Sequence, residues 1–473
     1  MLNTSLDFKE NAGRALRDPG LQQALARSRE QGPASREAAV ARLPEFEALR
    51  DTAKAIKDHT LANLDVYLER YAAEVEAQGG TVHWCRTAED ARAAVLAICR
   101  RLEAKTITKG KSMISEEIGL NEFLDAQGVA PVETDLGEYI LQLRGEAPSH
   151  IIGPAFHLNR DDWEESFRKA HTHLPADRVF REKADIQAEA RAILRQKFLA
   201  ADVGLTGANF LIAETGSSVI VTNEGNGDLT QTLPRAHIVL ASIEKVVPTI
   251  EDSISLLRLL ARSATGQEFS AYTTFSTGPR RSDDPDGPGE YHVILLDNGR
   301  SSMVGGDFQD MLRCIRCSAC LNHCPVYLSV GGHAYGSMYS GPMGSVLTPA
   351  LFGVDKGHLL PNASTFCGKC ESVCPMKIPL TGMMRHWRER EFERHLQPAA
   401  ARYGLDAWRR AAERPSLYRA LTRVAARALA TGSRGRGRFT WLPFAGAWTE
   451  GRDMPAPEGE TFFARYARRQ RAR

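Results

Sequence analysis

The 473-residue sequence lacks the features of a membrane-spanning or exported protein. No apolar run reaches the roughly 18 residues that a bilayer-spanning helix requires. The opening residues, MLNTSLDFKENAGR, contain no apolar core of a signal peptide. We therefore expect a cytoplasmic protein that can associate with the inner face of the membrane through its partners.

Lysine is missing from the C-terminal end of the chain. From Met383 onward there are 20 Arg, no Lys and nine Asp or Glu, whereas the whole chain carries a net charge of only +2. An acidic body therefore ends in a basic tail. Docking to an acidic partner or to a membrane surface explains this charge.

Nucleic-acid binding is the other explanation for the basic tail, with Trp387, Trp408 and Trp441 as its aromatic residues. The Arg residues, however, alternate with Glu in RHWREREFERH, which is the usual pattern of a solvated helix face. We expect no nucleic-acid partner. The segment TGSRGRGR, residues 431 to 438, is predicted to be flexible.

The length exceeds what one hydrophobic core usually supports, and the sequence pattern divides it into four regions. The predicted regions are an N-terminal helical segment (1–79), an α/β domain (80–299), a cysteine-rich module (300–390) and an Arg-rich C-terminal region (391–473).

Apolar residues before position 80 recur at helical spacing and predict one or two amphipathic helices. They are Phe46, Leu49, Ala53, Ile56, Leu64, Tyr67, Tyr71 and Val75. Beyond Gly80, short apolar runs such as TVHWC, TIT and HIVLAS alternate with helical patterns, one of them extending from Ile114 to Ala126. This alternation predicts an α/β domain with a mainly parallel sheet. NFLIAETGSSVIVTN (209–223) adds an antiparallel hairpin.

Seven of the nine cysteines lie close together in the sequence. They are Cys314, Cys317, Cys320, Cys324, Cys367, Cys370 and Cys374. In a chain without an export signal, clustered thiols favour metal binding over disulfides. Cys85 and Cys99 stand apart, and we expect both to be ordinary buried cysteines.

CIRCSACLNHCP (314–325) is a complete C-x2-C-x2-C-x3-C-P iron-sulfur motif. In proteins with two such loops, the fourth cysteine of each loop binds the other cluster. We therefore assign Cys314, Cys317, Cys320 and Cys374 to a first 4Fe-4S cluster. Cys324, Cys367 and Cys370 remain for a second. Zinc, the alternative, leaves the three-cysteine run and the two Cys-Pro endings without a role.

The second loop, NASTFCGKCESVCP (362–375), has Ser364 where a fourth ligand is expected. The second cluster is therefore either a 3Fe-4S centre or a 4Fe-4S centre with a non-cysteine fourth ligand, such as water or Ser364, or a cysteine from a partner. His323, His333 and His358 flank the cysteine loops and are candidates for tuning a cluster or carrying a proton.

Four stretches of the sequence resemble the lactate utilisation protein B family: CIRCSACLNHCPVY, GGHAYGSMYSGPMGSVLTP, CGKCESVCPMKIPL and GANFLIAETGSSVIVTNEGNGDL. The resemblance implies a LUD domain similar to the CoA-transferase-like α/β fold, an alpha-helical ferredoxin module with two clusters, and a family-specific tail. It also implies that the chain carries electrons, together with two other lactate-utilisation subunits, during oxidation of L-lactate to pyruvate. The electron acceptor is unknown.

A catalytic role of the chain itself is the alternative. In the α/β domain, Lys109 and Lys111 are candidates for holding a carboxylate or phosphate, and Glu214 and Glu224 for a base or nucleophile. The chain would then oxidise a 2-hydroxy acid at this pocket or at an open cluster iron. An iron-sulfur sensor is a third hypothesis.

Overall fold

The computed structural model describes residues 3–110, 112–433, 435–443, 445–449 and 452–472. The chain divides into two compact units, Met1–Glu391 and Phe392–Arg473. Within the described ranges, every helix is either too short or too polar to cross a bilayer.

Four helices precede the first strand, more than the periodicity predicted. They are α1 (Phe8–Ala15), α2 (Pro19–Ala41), α3 (Phe46–Ala62) and α4 (Leu64–Ala77). Asp18 caps α2 by accepting a hydrogen bond from the backbone N–H of Leu21, and Pro19 occupies the first helical position. Of the predicted apolar face, Phe46, Leu49, Ala53, Leu64, Tyr71 and Val75 are buried.

Six strands form one parallel sheet, as the sequence predicted. They are β1 (Thr81–Cys85), β2 (Thr106–Lys109), β3 (Ala130–Glu133), β4 (Val203–Thr206), β7 (Ala236–Ser242) and β10 (Glu290–Leu296). The strand order is β1-β10-β7-β4-β2-β3. The carboxyl ends of these strands share one edge, where ligands of open α/β sheets bind.

Helices connect these strands along the chain. They are α5 (Ala88–Arg101), α6 (Met113–Glu117), α7 (Leu120–Ala126), α8 (Leu136–Arg144), α9 (Arg160–Ala170), α10 (Lys183–Leu199), α11 (Asn226–Thr232) and α12 (Ile250–Ala264). α5 packs on one face, while Leu68 and Tyr71 of α4 pack against Val239 and Val293 on the other. α4 therefore contributes to the core of the α/β domain.

The helical pattern predicted from Ile114 to Ala126 is split in two. α6 ends at Glu117 and α7 begins at Leu120, with Gly119 between them in the left-handed conformation (φ 61°). Because glycine adopts positive φ without a steric penalty, the chain turns here and the helix does not continue.

A smaller sheet contains the predicted hairpin. Its strands are β5 (Phe210–Ile212), β6 (Ser217–Thr222), β8 (Val246–Val247) and β9 (Tyr272–Ser276), in the order β8-β5-β6-β9. β5 and β6 pair antiparallel, as predicted, whereas β5 pairs with β8 in parallel.

Short helices and turns make up the cysteine-rich segment. The helices are α13 (Ala319–Asn322), α14 (Tyr327–Val330), α15 (Gly341–Phe352), α16 (Val354–Gly357), α17 (Lys369–Val373) and α18 (Leu380–Glu393). The second compact unit contains α19 (Ala399–Ala412), α20 (Pro415–Gly432), β11 (Arg438–Phe439), α21 (Gly446–Thr449), β12 (Met454–Pro455) and α22 (Phe462–Arg471). The observed architecture confirms the predicted fold class.

The segment predicted to be flexible, TGSRGRGR (431–438), begins within α20, which ends at Gly432. Its Arg434 lies outside the described residues.

Candidate functional site

Four of the clustered cysteines surround one cavity. Cys314, Cys317, Cys320 and Cys374 line about 390 Å³ of free space, together with apolar side chains such as Met343 and Leu380. Cys374 comes from the second cysteine loop and the other three from the first. The cavity thus joins two loops that are far apart in the sequence.

The backbone of the first loop explains how three of its thiols face the same space. Arg316 (φ 60°) and Ser318 (φ 61°) both adopt the left-handed conformation, which is uncommon for residues other than glycine. These two residues separate the three cysteines and bend the chain around the cavity. Such local strain persists when surrounding contacts hold it, and it often occurs at functional sites.

The other three clustered cysteines, Cys324, Cys367 and Cys370, line a second cavity with about 260 Å³ of free space. Its wall also includes His323, Ser364 and Thr365. Cys324 and Cys370 are buried, but Cys367 is exposed. The second cavity is therefore closer to solvent than the first.

Burial controls the protonation of most of these thiols. It raises the pKa of Cys374 to about 11 and that of Cys370 to about 12. Cys367 is the exception, because hydrogen bonding from the backbone N–H of Lys369 lowers its pKa. Thiols bind metals as thiolates, so loading of these cavities must release protons.

The arrangement of the thiols suits a cofactor with several metal atoms. Among the described residues, no three His, Cys, Asp or Glu side chains form a group that could hold one metal ion. The thiols instead line the walls of two cavities. An iron-sulfur cluster has several iron atoms, each at a different corner, and is held by ligands spread in this way.

Ser364 and the three candidate histidines have different surroundings. Ser364 Oγ accepts a hydrogen bond from the backbone N–H of Phe366 (3.1 Å). His323 Nδ1 lies 2.8 Å from the carbonyl of Ala319, and its Nε2 is buried without a hydrogen-bond partner. His333 is exposed and contacts the carbonyl of Ala147 through Nε2. His358 lines neither cavity.

Two arginines of the N-terminal helices bind the second cysteine loop. Arg36 of α2 donates a hydrogen bond to the carbonyl of Val373 (3.0 Å). Arg50 of α3 donates two to the carbonyl of Cys374 (2.6 and 3.1 Å). Their charges would favour the more negative, reduced state of a cluster held in the first cavity. No periodicity or motif in the sequence identified these contacts.

Buried charges connect the α/β domain to the cysteine-rich segment. Glu117 of α6 binds Arg300 through both carboxylate oxygens (2.9 and 2.6 Å), and Tyr339 donates to it as well (2.6 Å). Arg300 also pairs with Glu244 (3.1 Å), which in turn pairs with Arg316 (3.3 Å). The two guanidinium groups outweigh the effect of burial and lower the pKa of Glu244 to about 2.

The other candidate residues of the α/β domain do not form one site. Lys109 is buried and pairs with Glu133 (2.5 Å) and Asn121 (2.6 Å), so it is not free to bind a ligand. Glu214 is exposed and accepts a hydrogen bond from the first backbone N–H of α12. Glu224 is exposed and lines a large pocket. Lys111 lies outside the described residues.

The buried environment predicted for Cys85 and Cys99 is confirmed, and the three candidate tryptophans differ in exposure. Cys85 and Cys99 are buried, and burial raises the pKa of each to about 11. Trp387 is also buried, stacked on Phe308 with ring centroids 4.0 Å apart, and so offers no surface for a nucleobase. Trp408 and Trp441 are exposed.

Comparison with known families and proteins agrees with these features. Family models match the LUD domain (residues 68–296), the 4Fe-4S dicluster domain (310–378) and the C-terminal region of lactate utilisation protein B (386–471). A crystal structure of a DUF162 family protein from Deinococcus radiodurans is only distantly similar, with 13% identity and a TM-score of 0.28 over 49% of this chain and 98% of that one.

Full-length relatives match far more closely. Lactate utilisation protein B of Geobacillus thermodenitrificans is 44% identical over 95% of this chain and 94% of the relative. The corresponding protein of Macrococcus caseolyticus is 45% identical over 89% and 88%, and that of Bacillus subtilis 40% identical over 98% and 96%. Since the dicluster match spans all seven clustered cysteines, the chain is an iron-sulfur protein, and it belongs to the lactate utilisation protein B family.

Proposed function

We propose that this chain is the electron-transfer component of an L-lactate-oxidising complex. In this proposal another lactate-utilisation subunit oxidises L-lactate to pyruvate, and this chain passes the electrons through two clusters to a further acceptor. The observation that carries the proposal is the pair of cavities lined by seven thiols in one segment. Iron-sulfur clusters supply reversible one-electron storage.

In this proposal each cavity holds one cluster, and the thiols that line the cavity are its ligands. Cys314, Cys317, Cys320 and Cys374 would hold a 4Fe-4S cluster, and Cys324, Cys367 and Cys370 the second cluster. The apolar wall of the first cavity would exclude water from its cluster. Exposure of Cys367 supports the second cluster as the point of electron exchange with the surface.

His323 is the proposed fourth ligand of the second cluster, which would then be a 4Fe-4S centre. Its Nε2 is buried without a partner, and its side chain lines the same cavity as the three thiols. Nδ1 lies within hydrogen-bond distance of a backbone carbonyl. Metal-binding histidines usually donate the other ring N–H to such a group, which fixes the ring orientation and keeps the binding nitrogen deprotonated.

Substitution of His323 tests this ligand. In pulsed EPR of the reduced protein we expect a nitrogen hyperfine coupling on the second cluster that His323→Ala removes. His358→Ala is the matched control and should leave the coupling intact, because His358 lines neither cavity. An EPR signal of about one spin per protein in the oxidised sample would instead indicate a 3Fe-4S centre and contradict the assignment.

Anaerobic reduction by L-lactate tests the relay itself. We expect the clusters of this chain to stay oxidised with L-lactate alone and to become reduced when the other lactate-utilisation subunits are added. EPR and the visible absorbance of the clusters both report the change. Reduction by lactate without those subunits would show that this chain is the catalyst. No reduction in any mixture would favour a sensor.

A catalytic role of this chain remains the second candidate function. One observation favours it: the large pocket of the α/β domain includes Arg316, which lies between two cysteines of the first loop. A molecule in that pocket would therefore lie next to the first cluster site. A pure relay does not need such a pocket.

A further inference from the structure

The second compact unit, Phe392–Arg473, buries almost none of its apolar side chains. Among its described residues, Ala426 of α20 is the only apolar one that is buried. Twelve large apolar side chains of the described part are exposed, and eight of them are aromatic. Apolar surface that a folded unit leaves uncovered on this scale usually marks an interaction site.

One side of α20 carries an exposed apolar stripe. It consists of Leu417, Leu421 and Val424, which follow one another at spacings of four and three residues and so lie on the same side of the helix. All three are exposed. The side of α20 that packs within the unit is a different one, because it contains the buried Ala426. The apolar stripe is therefore available for contact with another surface.

A basic stripe follows the same helix. Arg419, Arg423 and Arg427 are spaced four residues apart, and all three are exposed. α20 contains no Asp or Glu, so no carboxylate within the helix neutralises these charges. A helix of a soluble core hides its apolar side, whereas both stripes of α20 face solvent. Separate apolar and Arg-rich sides are typical of a helix that lies in the interface of a lipid bilayer.

α22 repeats this pattern with aromatic residues. Phe462, Phe463 and Tyr466 are exposed, and the rings of Phe462 and Tyr466 stack with their centroids 5.8 Å apart. The same helix has four Arg and no Asp or Glu. The guanidinium of Arg419 lies over the ring of Phe463, 5.5 Å from its centroid, which places α22 beside α20. Two neighbouring helices thus combine exposed apolar groups with arginine.

Charge and side-chain type together favour an anionic bilayer as the binding partner of these helices. The unit has 17 Arg, no Lys and only seven Asp or Glu. Arginine binds phosphate oxygens through two N–H groups, and aromatic rings accumulate at the depth of lipid headgroups. A bilayer covers apolar side chains of any shape, whereas a protein partner must match their shape. A purely acidic surface would bind the arginines but leave the apolar stripe uncovered.

We propose that α20 and α22 bind directly to the surface of a membrane that contains anionic phospholipid. The apolar stripe of α20 and the aromatic residues of α22 enter the boundary between headgroups and acyl chains, and the arginines bind lipid phosphates. The chain then reaches the membrane without a partner protein. The inference goes beyond electron transfer and does not depend on it.

Cosedimentation of the full-length protein, with its clusters loaded, tests binding to lipid vesicles. Vesicles of phosphatidylcholine with about one third phosphatidylglycerol are the probe, and vesicles of phosphatidylcholine alone are the matched comparison. We expect at least about tenfold stronger binding to the anionic vesicles, and weaker binding as salt rises, because salt screens the attraction between arginine and phosphate. Absence of binding, or equal binding to both kinds of vesicle, would overturn the proposal.

Val424→Asp tests the apolar stripe, with Val66→Asp as the matched control. Val424 is 66% exposed and Val66, on α4 of the first compact unit, is 57% exposed, so neither substitution disturbs a core. We expect Val424→Asp to weaken binding to anionic vesicles at least about tenfold and Val66→Asp to leave it unchanged, although both make the same change of charge. Equal binding by the two variants would contradict the assignment of the stripe.

The double substitution Arg423→Gln and Arg427→Gln tests the basic stripe. Arg70→Gln with Arg86→Gln is the control, because both of these arginines are exposed in the first compact unit. We expect the first pair to weaken binding to anionic vesicles about tenfold and to reduce its salt dependence, and the second pair to change neither. If Val424→Asp instead abolished binding to the other lactate-utilisation subunits and left vesicle binding intact, the stripe would be a protein interface and the proposal would fail.

Discussion

Cys317→Ala is expected to leave the protein with a single cluster and no electron transfer. Cys317 is buried in the first cavity with three other thiols, and alanine offers no ligand in its place. Roughly half of the bound iron should be lost, since the second cluster keeps its own thiols. Iron analysis and EPR measure the loss, and lactate-driven reduction of an acceptor in the presence of the other subunits measures transfer.

Cys99→Ala is the control for the same chemical change elsewhere. Cys99 is fully buried in the core of the α/β domain, away from both cavities. The substitution removes only a thiol, so iron content and electron transfer should remain normal apart from a small loss of stability. Full iron content in Cys317→Ala would contradict the assignment of ligands to the first cluster.

Arg300→Met is expected to destabilise the protein more than any surface change. Its guanidinium is fully buried and pairs with both Glu117 and Glu244. Without it, Glu117 would lose its arginine partner and Glu244 would keep only Arg316. Breaking a buried pair in this way costs about 3–5 kcal/mol. Urea unfolding, followed by tryptophan fluorescence and by cluster absorbance, measures the change.

Arg101→Met provides the comparison for a pair near solvent. Arg101 binds Glu290 at the start of β10, with 53% and 34% of the two side chains exposed. Such pairs contribute at most about 1 kcal/mol. A cost of Arg300→Met that is as small as that of Arg101→Met would show that the buried network does not join the α/β domain to the cysteine-rich segment.

Local patterns of the sequence predicted much of the fold. The strands TVHWC, TIT and HIVLAS and the 209–223 hairpin all occur where the pattern indicated them. These features depend on residues close in sequence. Helices α1 and α2 were not predicted individually because their residues contact distant segments. Gln22 of α2, for example, donates a hydrogen bond to the carbonyl of Ser329.

The candidate site was predictable only in part for the same reason. The spacing of the cysteines predicted the two sets of thiols that line the two cavities. The pairing of Glu117, Arg300 and Glu244 joins residues far apart in the chain, and no spacing rule identifies it.

Because of the contacts of Arg36 and Arg50, the attachment of helices α2 and α3 depends on the conformation of the second cysteine loop. Both arginines are largely buried and donate to loop carbonyls, and Arg50 also pairs with Glu47. A loop that relaxes after oxidative loss of its cluster would withdraw these carbonyls and remove hydrogen bonds from two buried guanidinium groups. α2 and α3 would then detach first. Proteolytic clearance of oxygen-damaged molecules would accordingly begin at the N-terminus, far in sequence from the damaged cysteines.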